Sequence, residues 1–66
     1  MHDLIGSTAG KVWSFLDVAG SADLIQIKSE LGISNALLHL ALGWLLRENK
    51  VLITNSGHVV TAALKK

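Results

Sequence analysis

A mainly helical fold closed by a β-hairpin is predicted for this chain of 66 residues, and three observations predict it. Apolar residues recur at helical spacing in three successive segments between Ile5 and Glu48. The second and third of these are joined by only Gly32-Ile33-Ser34. After Lys50 the composition changes to VLITNSGHVVT, rich in β-branched residues and divided by Asn55-Ser56-Gly57. Three helices with a tight turn before the third, followed by a hairpin, make a winged helix-turn-helix: three helices plus a two-stranded wing.

The first helix is expected from Ile5 to Val18, because Ile5, Ala9, Val12 and Leu16 follow spacings of four, three and four, flanked by Thr8, Trp13 and Phe15. Gly6 or Ser7 would start it and Ala19-Gly20-Ser21 would end it. Gly10 is read as a small residue where another element approaches closely. Asp23 is placed to cap the second helix, with Gln26 three residues on reaching back in a capping box. Leu24, Ile27 and Leu31 form its buried stripe, and Gly32 stops it. Ser34 then caps a third helix from Asn35 to Glu48. Ile33 plugs the corner between the two, and Gly32 supplies the positive φ of the turn. The wing is read as strands over 51–54 and 58–61 with the turn at Asn55-Ser56-Gly57; the segment from Ala62 to Lys66 is left unassigned.

Size and composition bound the function. A chain this short is expected to be one domain over residues 1–66, with a thin core and little room for a cofactor or substrate pocket. Cysteine is absent, so no disulfide or thiolate zinc site reinforces it. Hydrophobic residues make up 50% and charged residues 17%, below the usual charged share of about 25%, which leaves little solubilising surface. The longest apolar run, Ala36 to Leu46, is 11 residues and contains His39; a membrane span needs about 20. The N-terminus MHDLIGSTAG has no basic region followed by an apolar stretch, so a cytoplasmic location without a membrane partner is expected.

Charge is unevenly placed. Residues 1–33 carry Lys11 and Lys28 against Asp3, Asp17, Asp23 and Glu30, a balance of −2; residues 34–66 carry Arg47, Lys50, Lys65 and Lys66 against Glu48, a balance of +3. The basic half is weak beside the multi-phosphate footprint of dedicated nucleic-acid binders.

The segments TAGKVWSFLD and LALGWLLRENKV, and above all ALGWL at residues 41–45, resemble a group of small prokaryotic winged helix-turn-helix domains of poorly defined role. The resemblance spans nearly the whole chain. It implies the fold and a bacterial or archaeal source, and it implies no activity. Such sequences commonly carry Gly where this chain has Asn49; Asn tolerates the left-handed conformation, so the turn is expected to survive.

Catalytic chemistry finds no support in the residues. Gly6-Ser7-Thr8-Ala9-Gly10-Lys11 is one residue short of a phosphate-binding loop, has Val12 where the hydroxyl should stand, and follows no strand. His2, His39 and His58 fall in three different elements without a metal-ligand spacing. No nucleophile, base and orienting acid form a set. The expectation is a non-enzymatic module with no cofactor, no metal and no small-molecule substrate.

The third helix carries what functional signal there is. If Leu38, Ala41, Leu42 and Leu45 face the core, a step of 100° per residue puts Ala36, Leu40, Gly43 and Arg47 opposite. Leu37 and Trp44 then lie on one shoulder, His39 and Leu46 on the other. A base-reading helix would show polar and basic side chains there, and only Asn35, His39 and Arg47 qualify. The favoured reading is therefore protein association through Ala36, Leu37, Leu40, Gly43, Trp44 and Arg47, with a second copy or another protein as partner. Ile25 would extend the patch; alternatively Leu37 and Trp44 pack inward and shrink it. The competing reading is a transcriptional regulator contacting double-stranded DNA through Asn35, His39, Arg47, Lys50, Lys65 and Lys66.

Overall fold

The computed structural model describes residues 2–65, with side chains from Leu4 onward. Helix α1 (His2–Ala19) leads into a short strand β1 (Ser21–Asp23), helix α2 (Leu24–Leu31), helix α3 (Asn35–Arg47) and the hairpin strands β2 (Val51–Ser56) and β3 (Val59–Leu64). The winged helix-turn-helix expectation holds, with one addition. The sheet has three antiparallel strands in the order β1-β3-β2, so the wing is a hairpin joined by an extra strand.

Helix α1 starts earlier than its periodicity suggests, and Gly6 and Ser7 lie inside it. A glycine in a helix interior costs up to about 1 kcal/mol. Full burial of Ala9, Val12 and Leu16 on one face outweighs that cost. Gly20 closes α1 at φ 85, its N–H donating to the Leu16 carbonyl at 2.7 Å. The chain then enters β1, which places Ala22 opposite Ala62.

The turn between α2 and α3 forms as its residues require. The Asp23 carboxylate accepts from the Gln26 N–H at 2.7 Å; no reciprocal bond from the Gln26 side chain forms among the described residues, and the exposed amide is left to water. Gly32 sits in the left-handed region at φ 62 and donates to the Lys28 carbonyl at 2.8 Å. Ile33 packs half-buried against the core. Ser34 Oγ accepts from the Leu37 N–H at 3.1 Å, capping α3.

The exit from α3 is equally specific. Asn49 adopts φ 60; its N–H donates to the Leu46 carbonyl at 3.0 Å, and the Lys50 N–H donates to the Leu45 carbonyl at 2.9 Å. That pair of bonds is a Schellman motif, which satisfies two of the last carbonyls of the helix. The turn survives with Asn, as the sequence predicts.

The wing differs from expectation in register. Its strands pair from Val51↔Leu64 to Ser56↔Val59, so the turn is Gly57-His58 and Asn55 and Ser56 belong to β2. Gly57 at φ 62 takes the first of the two turn positions, the place where two-residue hairpins of the glycine-first kind need it. The unassigned stretch Ala62–Leu64 belongs to β3, the central strand. The eleven buried hydrophobics among the described residues form one core, with Val12, Leu16, Ile27 and Leu38 its largest fully buried side chains.

Candidate interaction surface on the third helix

Helix α3 divides as its angular pattern predicts. Leu38, Ala41, Leu42 and Leu45 are buried at 4% exposure or less, and Ala36, Leu40, Gly43 and Arg47 are exposed. Leu40 keeps 48% of its surface in contact with solvent. On one shoulder Leu46 is 47% exposed; on the other Trp44 is 37% exposed and Leu37 is half-buried. Apolar surface is therefore exposed at Leu40, Leu46 and Trp44 and reduced at Leu37.

Helix α1 contributes more to this side than its sequence suggests. A groove of about 340 Å³ runs between α1 and α3, with Gly6 and Gly10 along α1, Trp13 and Trp44 beside it, and Glu48 and Lys50 at one end. Gly10 is not a close-approach residue: a Cβ added there would meet no atom within 4 Å. Its smallness opens a groove and does not admit a neighbour. The signal was present in the chain, since Gly6, Gly10 and Trp13 share one helical stripe, but an apolar stripe marks burial and small exposed residues leave no such mark. Ile25 is 82% exposed and lines a cleft with His58, Val59 and Val60 of the wing.

The polar candidates are spread along the length of α3 and just beyond it. Asn35 and Arg47 are exposed on α3. His39 Nδ1 donates to the Asn35 carbonyl at 2.6 Å, which fixes the ring against its own helix and leaves Nε2 for other contacts. Lys50 is exposed just past α3. Lys65 is drawn to the same corner: its N–H donates to the Lys50 carbonyl at 2.9 Å and its Nζ donates to Asn49 Oδ1 at 2.7 Å. Lys66 lies outside the described residues. The wing tip, Asn55 to His58, carries neither Lys nor Arg.

Among the described residues no group of three or more His, Cys, Asp or Glu is placed to hold a metal ion. No helix among them is long and apolar enough to cross a membrane.

Comparison with known proteins places the chain in a family. The chain is 38% identical over 56 residues to the uncharacterized protein MJ1608 of Methanocaldococcus jannaschii, a match covering 80% of this chain and 79% of that protein. The solution structure of protein BT2368 from Bacteroides thetaiotaomicron superimposes with a TM-score of 0.84 at 32% identity, covering 94% of this chain and 76% of the other. Residues 1–63 match the family described as winged helix-turn-helix domain (DUF2582). The chain belongs to the DUF2582 family of winged helix-turn-helix domains.

Proposed function

We propose that this domain is a non-enzymatic association module that seats a protein, a second copy of itself first of all, on the outer face of α3. The observation that supports this reading is the exposure of Leu40, Leu46 and Trp44 around Ala36 and Gly43, where a base-reading helix would carry polar and basic groups. Burying the exposed halves of Leu40 and Leu46 returns about 1 kcal/mol each. The small residues Ala36 and Gly43 let a partner backbone approach, and Arg47 lies at the polar rim. Light scattering on the wild type and on Leu40→Glu tests the reading. The wild type is expected to show a mass above the 7.0 kDa of one chain and the variant a smaller one. Equal masses for the two remove α3 from the association surface.

A second reading, binding of double-stranded DNA, is favoured by the exposure of Asn35, His39 and Arg47 along α3, with Lys50 exposed just beyond it. In this reading phosphate contacts from Arg47 and Lys50 dominate, and affinity falls steeply with salt. Titrating a labelled duplex at low and moderate salt separates the two readings. The association reading expects no salt-dependent binding; binding that weakens with salt and with Arg47→Ala would favour the DNA reading instead.

A further inference from the structure

The groove between α1 and α3 exists where α1 withholds its side chains. Gly6 and Gly10 stand four residues apart and therefore lie one above the other on one side of the helix. A Cβ built on either would meet no atom within 4 Å, so the space above both is open. Trp13 borders it from α1 and Trp44 from α3. Ala9 and Leu45, at 2% and 4% exposure, are its buried lining. Its volume of about 340 Å³ falls at the small end of the range of about 300–1,000 Å³ for small-molecule pockets. One ring and a short chain fit that size.

The groove also carries two opposite charges on fixed backbone. Glu48 and Lys50 flank Asn49 in the turn that ends α3: the Glu48 N–H donates to the Trp44 carbonyl at 3.1 Å and the Lys50 N–H to the Leu45 carbonyl at 2.9 Å. Both side chains are exposed and line the groove, and among the described residues neither is held in an ion pair. These two charges restrict what can bind. A phosphate would find one lysine beside a carboxylate, where phosphate sites gather several donors. A simple amine would be attracted by Glu48 and repelled by Lys50, and a simple acid the reverse. A zwitterion satisfies both.

We propose that this groove binds a free α-amino acid with an aromatic side chain. Its ring lies against the indoles of Trp13 and Trp44 and over Gly6 and Gly10, its ammonium group meets the Glu48 carboxylate, and its carboxylate meets the Lys50 ammonium. An aromatic ring suits these walls because contact between rings adds to the gain from burial, and glycine backbone admits a flat group at close range. The site goes beyond the α3 association and does not rest on it. Leu40 does not line the groove, so the comparison of wild type with Leu40→Glu tests that association separately.

Titrating the isotope-labelled chain with free L-phenylalanine, followed by NMR, tests the site. The amides of Gly6 and Gly10 and the indole N–H groups of Trp13 and Trp44 are expected to shift and saturate with a Kd of about 1 mM, the affinity a ligand of this size can reach. Gly10→Leu is expected to abolish the shifts, because its side chain occupies the groove. The same change should raise the urea midpoint, since leucine replaces glycine at an exposed position inside a helix, so lost binding is not lost folding. Glu48→Gln and Lys50→Gln are each expected to weaken binding by about two- to fivefold, as befits exposed charge pairs. 2-Phenylethylamine, which lacks the carboxylate, and 3-phenylpropionate, which lacks the ammonium group, are expected to bind more weakly than phenylalanine in the wild type. No saturable shift up to about 20 mM, well above that Kd, overturns the proposal. Shifts that persist in Gly10→Leu place the ligand elsewhere and overturn it too, and so does equal binding of either single-charge analogue.

Discussion

Leu38→Ala is expected to lower the free energy of unfolding by about 2–5 kcal/mol, and Leu40→Ala, two residues along the same helix, by no more than about 0.5 kcal/mol. The two side chains are chemically identical and differ only in angle. Leu38 is 1% exposed, among the largest fully buried side chains of the core, whereas Leu40 is 48% exposed. Truncating Leu38 removes the transfer free energy of its side chain and leaves a cavity that Leu16, Ile27 and Val12 cannot fill without moving. Truncating Leu40 leaves no cavity. The contrast is large beside a total stability of about 5 kcal/mol for so small a domain, so Leu38→Ala is expected to be partly unfolded at 25 °C. Urea denaturation at a concentration low enough to keep the chain monomeric measures both; equal losses at the two positions would contradict the division of α3 into a core side and an outer side. In the proposed association, by contrast, Leu40 is the residue whose truncation is expected to matter.

The legibility of that division in the sequence has a physical basis. A helix advances by 100° per residue whatever it packs against, so once Leu38, Ala41, Leu42 and Leu45 are taken as the core row, the exposed row follows without any tertiary information. Caps are local in the same sense. Asp23 and Ser34 each bond an N–H three residues ahead, and Gly32 and Asn49 take left-handed conformations that few other residues accept.

The features that were not legible depend on distant partners. Three residues of β1 carry no periodicity of their own, and Ser21-Ala22-Asp23 becomes a strand only because β3 lies beside it. The Gly57-His58 turn was displaced because Asn55-Ser56-Gly57 reads locally as a loop, whereas the ladder to Val59 and Val60 holds Asn55 and Ser56 in β2. The groove between α1 and α3 leaves no mark in the sequence for a different reason. Gly6 and Gly10 show themselves only as missing side chains, and whether a missing side chain admits a neighbour or opens a channel depends on the spacing of the helices around it. The edge position of β2 is hidden as well, because the order β1-β3-β2 decides which strand ends the sheet.

Asn49→Val is expected to cost about 2 kcal/mol and Asn49→Gly to change stability by less than about 0.5 kcal/mol. Position 49 lies at φ 60, a conformation that Gly adopts freely, Asn tolerates and a β-branched residue strongly resists. Valine therefore has two courses. It can keep the turn under strain, or it can release the turn and leave the Leu45 and Leu46 carbonyls without the N–H groups of Lys50 and Asn49. Both courses also lose the bond from Lys65 Nζ to Asn49 Oδ1, an exposed interaction worth only about 0.5 kcal/mol, so most of the loss comes from the backbone of the turn. The effect reaches the wing, because this turn sets the angle at which β2 leaves α3 and seats Val51 in the core at 2% exposure. Urea midpoints of the two variants measure the cost, and amide shifts along β2 measure the reach. A valine variant as stable as the glycine one would mean that the Schellman turn does not hold the wing to the third helix.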